Sequence, residues 1–103
     1  MTHTTLYPTW QEKVVYSADG PQPQILIAND SVKVITAGLE PGQKIPEHPE
    51  GAAVYHFLDG NGWMLVDGER LAVSRGATVV MPAGTLRGME AETRLAFLAM
   101  RLA

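Results

Sequence analysis

Apolar residues recur along most of this chain in short runs, which glycine, proline, asparagine and aspartate interrupt every few residues. Runs of about four to eight residues that are rich in β-branched side chains and bounded by such turn residues are typical of antiparallel strands. The runs predict strands over residues 25–28, 32–37, 54–58, 63–66, 70–73 and 78–81. The strongest turn signals are 29–30, 59–62, 67–68 and 82–84.

The two ends of the chain are less regular. Residues 1–24 contain a short β-prone run at 14–16 after several aromatic and polar residues, and we predict an arm or a strand that docks on the domain. Residues 93–100 are rich in Leu, Ala and Met, which favour a helix by intrinsic propensity. We predict a last strand there, because everything upstream is strand and short turn and no segment shows a helical stripe with caps.

The length and composition suit one domain, and the pattern of strands and turns indicates an all-β class. The chain has 103 residues, of which 46% are hydrophobic and 18% charged, an ordinary globular balance. We predict a single domain over residues 1–103, with the arm or strand in 1–24. Residues 25–103 then form two antiparallel sheets arranged as a double-sheet jelly roll or a small barrel.

Charge and cysteine content narrow the function. A net charge of −3 without a basic run argues against nucleic acid or an anionic membrane as partner. The absence of cysteine excludes disulfides, thiolate nucleophiles and cysteine metal sites, so a metal would need His3, His48 or His56 with carboxylates. No apolar run reaches about 18 residues and no signal peptide is visible, so we expect a cytoplasmic protein.

Two groups of glycine and proline residues carry a family resemblance. Gly42 precedes His48 by six positions, and Leu58-Asp59-Gly60 follows; then Gly76 is separated by five residues from Pro82-Ala83-Gly84. With this spacing, residues 32–100 resemble the cupin family. The resemblance implies a double-stranded β-helix or jelly-roll barrel, a homodimer, and a metal held by three imidazoles and one carboxylate.

The chain departs from that implied ligand set. His48 is present, but its partner position is Pro46 or Glu50, the glutamate position is Ala53, and the histidine position of the second motif is Arg87. We therefore favour a pocket without a metal cofactor. The alternative is a divalent ion such as Fe, Mn, Ni or Zn, held by His48, Glu50 and His56. Strand alternation argues against His56, because residues 53, 55 and 57 share the inward face that the family implies.

Arg87 and Tyr55 are the remaining pocket candidates. Arg87 could hold a carboxylate or phosphate through two parallel hydrogen bonds, or could form a structural ion pair with Glu47, Glu50 or Glu90. Tyr55 has a hydroxyl that needs a partner when buried. We predict that His48, Glu50, Tyr55 and Arg87 bind a small anionic molecule.

The type of activity stays open at this point, and so does whether the protein is an enzyme. If it catalyses a reaction, we expect proton transfer, with His48 as base and Arg87 stabilising negative charge. The alternatives are a metal-dependent oxygenase or isomerase and a non-catalytic dimeric sensor or accessory domain. For the homodimer, we predict an interface at an apolar patch of Val54, Leu58, Trp63 and Leu65, unless the arm covers that patch.

Overall fold

A computed structural model describes residues 4–102 of the protein. In this range the chain forms nine β-strands and one short 3₁₀ turn at Trp10–Lys13. None of the described residues forms a helix long and apolar enough to cross a membrane. The strands are β1 (Gln24–Ala28), β2 (Val32–Leu39), β3 (Lys44–Pro49), β4 (Ala53–Asp59), β5 (Asn61–Val66), β6 (Glu69–Ser74), β7 (Thr78–Met81), β8 (Leu86–Ala91) and β9 (Leu95–Leu102).

The strands form two antiparallel sheets that enclose one core. The first sheet has the order β1-β2-β9-β4-β7, and the second has the order β3-β8-β5-β6. The predicted all-β, double-sheet jelly roll is therefore confirmed. The most deeply buried apolar side chains come from both sheets: Leu39, Phe57, Met64, Met89 and Leu95.

The C-terminal segment is a strand, as predicted. β9 lies in the middle of the first sheet and pairs with both β2 and β4. Its alternate residues Leu95, Phe97 and Ala99 are buried against the core. Pairing on both edges and burial of one face outweigh the helix propensity of this segment, because propensity is a weak prior beside tertiary packing.

Two strands that the sequence did not predict pair with each other. β3 contains Pro46, which lies at an irregularity between Ile45 and His48, where a residue without an N–H is tolerated. In β8, a Cβ atom at Gly88 would clash with the backbone carbonyl of Ile45, so the close approach of the two strands requires glycine. This pairing places His48 directly opposite Arg87.

Of the two alternatives predicted for the N-terminal segment, an arm or a strand, residues 14–16 form an arm. Those residues are extended but belong to neither sheet. The Tyr16 and Val14 side chains pack on Gly38, where a Cβ atom would lie 2.8 Å from both. The Thr36 hydroxyl donates a hydrogen bond to the Lys13 carbonyl. The arm thus covers the outer face of β2 at Thr36 and Gly38.

The predicted apolar patch is wrong, because its members lie in different sheets. Val54 and Leu58 belong to β4 of the first sheet, whereas Trp63 and Leu65 belong to β5 of the second. The chain crosses between the sheets at Gly60, where φ is +90° and a side chain would clash with the Arg94 carbonyl. The predicted four-residue turn at 59–62 is therefore a crossover, and strand β5 already begins at residue 61.

Candidate functional site

A cavity of about 240 Å³ opens between the sheets. It forms because the inward faces of β2, β4 and β9 contribute alanines, which leave space that larger side chains would fill. Its polar lining is Lys33, His48, Glu50, Tyr55 and Arg101. Its apolar lining is Pro21 and Pro23 of the arm together with Ile35, Ala37, Ile45, Ala53, Phe97 and Ala99.

His48 presents one free ring nitrogen at the site. Its Nδ1 lies 3.0 Å from the Pro46 carbonyl oxygen, and since a carbonyl can only accept, Nδ1 carries the hydrogen. In the neutral ring Nε2 then has the lone pair, and it lies 3.6 Å from Glu50 Oε2. The side chain is 43% exposed and lines the cavity.

Glu50 lies at the rim and is already paired with a cation. Its Oε1 and Oε2 accept hydrogen bonds from Arg101 Nη1 at 2.8 and 3.0 Å. Arg101 follows Phe97 and Ala99 on the inward face of β9, and Lys33 precedes Ile35 on the inward face of β2. Lys33 and Arg101 were not among the predicted site residues, although the alternation along each strand would have indicated their direction.

Arg87 is a buried cation without a carboxylate partner in the described chain. Its side chain is 1% exposed. Nε donates to the Thr85 carbonyl, and Nη2 donates to the Glu50 and Pro82 carbonyls, each over a long distance of 3.4 Å. Nη1 is buried and has no hydrogen-bond partner among residues 4–102.

The structural ion pair, one of the two alternatives predicted for Arg87, does not form among residues 4–102, because each of the three candidate carboxylates is engaged elsewhere. Glu47 accepts a hydrogen bond from the Gly68 N–H. The carboxylate of Glu50 binds Arg101, and the carboxylate of Glu90 lies 3.9 Å from Arg70. Within residues 4–102, Arg87 donates its hydrogen bonds of up to 3.4 Å to backbone carbonyls, and the Tyr55 hydroxyl is the neutral side-chain group that interacts with its guanidinium.

A second, much smaller pocket lies beside Arg87 and shares part of its lining with the cavity. It has a volume of about 10 Å³, which is close to the space that one water molecule needs. Ile45, His48 and Tyr55 line both this pocket and the larger cavity. One ligand oxygen or one water in this small pocket would therefore lie beside the Arg87 guanidinium.

Tyr55 lies on the inward face of β4, with its ring 5.8 Å from that of Phe97. Burial raises the pKa of the Tyr55 hydroxyl above its ordinary value of 10.0. The positive charge of Arg87 and a hydrogen bond between the two side chains oppose this effect without cancelling it. The hydroxyl thus stays protonated at neutral pH and can donate a hydrogen bond to a ligand.

The residues at the site do not fit the metal ligand set that the resemblance implies. Among residues 4–102 no group of three or more His, Asp or Glu side chains is arranged to hold a metal ion. His56 is not brought to His48: its Nδ1 lies 2.8 Å from Thr78 Oγ1 on the outer face of the first sheet. Arg87 adds a positive charge beside His48, which disfavours a bound cation. His3 lies outside the described residues.

Two of three comparisons with known proteins agree with the fold. A profile of the cupin domain matches residues 35–100. The chain belongs to the cupin family. No curated protein matches this cupin.

Solved structures share the fold along nearly the whole chain. A conserved protein of unknown function from Streptococcus pyogenes has a TM-score of 0.84 and 26% identity, covering 99% of this chain and 90% of that one. An RmlC-like cupin from Desulfovibrio desulfuricans has a TM-score of 0.87 and 24% identity, covering 97% of both chains. Salicylate 1,2-dioxygenase from Pseudoaminobacter salicylatoxidans has a TM-score of 0.74 and 18% identity, covering 82% of this chain and 27% of that one.

The raised pKa of Tyr55 predicts a loss of stability at alkaline pH. Above pH 10.0 the unfolded chain releases the tyrosine proton before the folded protein does, so the free energy of unfolding falls as pH rises through the folded-state pKa. Below pH 10.0 this contribution is fully present. We expect Tyr55→Phe to lose less stability than the wild type between about pH 9 and about pH 11, measured by urea unfolding.

Part of the alkaline loss should remain in Tyr55→Phe, because burial also raises the pKa of Tyr16. An unchanged decline in the variant would show that Tyr55 is not buried as described. A comparison of the wild type with Tyr55→Phe at pH 7 is the control for packing effects of the lost hydroxyl.

Proposed function

We propose that this cupin binds a small anionic molecule in the cavity between its sheets, with the Arg87 guanidinium as the anchor for the negative charge. The observation that carries the proposal is the buried Nη1 of Arg87, which has no hydrogen-bond partner among the described residues. A buried charge without a counter-ion is costly, and a bound carboxylate or phosphate would supply both the charge and the missing acceptor.

The other cavity residues support an anionic ligand. Lys33 lines the cavity and has no ion pair within residues 4–102, and Arg101 is balanced by Glu50. His48 and Tyr55 add a ring nitrogen and a hydroxyl where the cavity meets the smaller pocket beside Arg87. A side-chain-filled barrel, which the accessory-domain alternative predicts, does not match a cavity of about 240 Å³.

His48 also supports a second candidate function, proton transfer on the bound anion. With Nδ1 donating to the Pro46 carbonyl, Nε2 of the neutral ring is the basic nitrogen. Glu50, 3.6 Å from Nε2, would stabilise the imidazolium that forms when the ring takes a proton. Arg87 would stabilise negative charge that develops on the ligand.

We further propose that the partner of this protein is a second copy of the same chain, bound at the outer face of the first sheet. Ile27, Val34, Met100, Val54 and Val80 are direct cross-strand neighbours and form one row across its five strands. Ile27, Met100 and Val80 are 48%, 37% and 72% exposed. A two-fold interface brings the same patch of both copies together, and an uncharged row can do so without like-charge repulsion.

Removal of the Arg87 charge tests the anion site. We expect acetate, succinate, benzoate or inorganic phosphate to stabilise the wild type by about 1 kcal/mol at a concentration about five times Kd, a rise in Tm of about 4–8 °C. Arg87→Met should lose this response. Without anion its Tm should equal or exceed that of the wild type, because an unpaired buried charge is removed. Thermal unfolding at constant ionic strength measures both effects.

Arg94→Met provides the matched control, because it breaks the exposed ion pair with Glu40 away from the cavity and should keep the anion response. If no anion in the panel stabilises the wild type, or if Arg87→Met responds equally, the anion site is not there. A large loss of stability in Arg87→Met without anion would instead assign the side chain a structural role.

Pyruvate provides a probe for proton transfer, since it combines a carboxylate with an acidic methyl group. We expect the wild type to accelerate deuterium exchange of the methyl protons in D₂O above the buffer rate, followed by NMR. His48→Gln and Arg87→Met should each lower the acceleration by about 100-fold or more, the usual range for a general base. Exchange at the buffer rate with pyruvate bound would disprove the catalytic role and leave the binding site intact.

A charge in the row of apolar residues tests the homodimer. We expect Val80→Asp to convert a dimer into a monomer, because an aspartate at the centre of an apolar interface would be buried without a partner. Leu71→Asp, at an exposed apolar residue of the second sheet, is the control and should stay dimeric. Light scattering after size-exclusion chromatography gives the mass. A wild-type monomer, or a dimer that Val80→Asp leaves intact, would contradict the proposal.

A further inference from the structure

The cavity has the size of one substituted ring. Engineered apolar cavities of about 150 Å³ bind benzene, and the cavity of this cupin, at about 240 Å³, has room for such a ring with one or two small substituents. Acetate or phosphate alone would leave most of the apolar walls in contact with water. A ligand that buries these walls therefore needs an apolar body of about this volume.

The walls favour a flat ring. Tyr55 and Phe97 lie on neighbouring strands and form a tilted aromatic pair, with their ring planes at 36°. Ile35 and Ile45 supply branched aliphatic surface from the two sheets, and Pro21 and Pro23 supply flat ring surface from the arm. Aromatic rings pack on each other in offset or tilted arrangements that a planar ligand ring can join.

The charge of Arg87 determines where the anionic end of the ligand lies. The pocket beside Arg87 has a volume of about 10 Å³, which has room for an atom the size of an oxygen and none for the ring itself. The ring must then stay in the large cavity, next to His48 and Tyr55, which line both spaces. We infer that the ligand is an aromatic monocarboxylate with a single ring, whose carboxylate points toward Arg87. This inference rests on the proposed anion site and specifies its ligand class.

A series of four probes separates charge, size and aromaticity. Titration calorimetry should give benzoate the highest affinity. Acetate keeps the charge without the ring and should bind at least about tenfold more weakly, because the apolar walls stay hydrated. Benzyl alcohol keeps the ring without the charge and should also lose at least about tenfold. Cyclohexanecarboxylate keeps size and charge without the aromatic faces and should bind about 2–10-fold more weakly.

A variant that fills the cavity tests the position of the ring. Ala99 lies between Ile35 and Tyr55 in the cross-strand register, and its side chain faces the cavity. Ala99→Leu should weaken benzoate by about tenfold or more and leave acetate within about twofold, since Arg87 is untouched. Ala72→Leu, at an exposed alanine of the second sheet, is the matched control. If Ala99→Leu does not fold, Ala53→Val fills the same cavity from β4.

The outcomes distinguish this inference from the proposed function. If acetate or phosphate binds as tightly as benzoate and Arg87→Met abolishes that binding, the anion site stands and the aromatic ligand class is wrong. The same conclusion follows if Ala99→Leu weakens acetate and benzoate equally. If none of the anions binds, or if binding survives Arg87→Met, both the anion site and the ligand class are wrong.

Discussion

The structure around the candidate site depends on how a buried guanidinium is held without a carboxylate. Arg87 donates to the carbonyls of Thr85, Glu50 and Pro82, so it connects the end of β3 with the turn between β7 and β8. Three long bonds to neutral acceptors do not balance a full charge in a low-dielectric site. Under the proposed function, a bound anion at this one fixed position supplies the missing negative charge.

The β3–β8 pairing places the buried charge of Arg87 beside the imidazole ring of His48. Because His48 and Arg87 are register partners, a change of register by one residue would turn one of them to the outside. The irregularity at Pro46 aims His48 inward, and its ring is then fixed by the hydrogen bond to the Pro46 carbonyl. Backbone pairing, more than contacts between side chains, therefore sets the distance between the His48 ring and the Arg87 guanidinium.

Local signals in the sequence predicted most strands and turns, whereas pairing between distant strands determined β3, β8 and the cavity. Asp67-Gly68 forms the predicted hairpin turn with positive φ at both residues, whereas Asn29 closes its hairpin by accepting backbone hydrogen bonds with its side chain. β3 and β8 escaped prediction because proline and glycine in their sequences usually mark turns. The cavity could not be foreseen, since it arises where alanines from three strands meet only in the folded register: Ala37, Ala53 and Ala99.

The site differs from the one that the family resemblance implies mainly in the sign of its charge. At the positions where the resemblance implies a glutamate and a histidine, this cupin has Ala53 and Arg87. The first change removes an anionic oxygen donor, and the second replaces a neutral nitrogen donor by a permanent cation. With Lys33 and Arg101 also at the cavity against the single carboxylate of Glu50, the potential there favours an anion over a metal ion. Under the proposed function, the same barrel serves the opposite binding preference without a change of fold, because the strands fix where the charge lies and the side chains fix its sign.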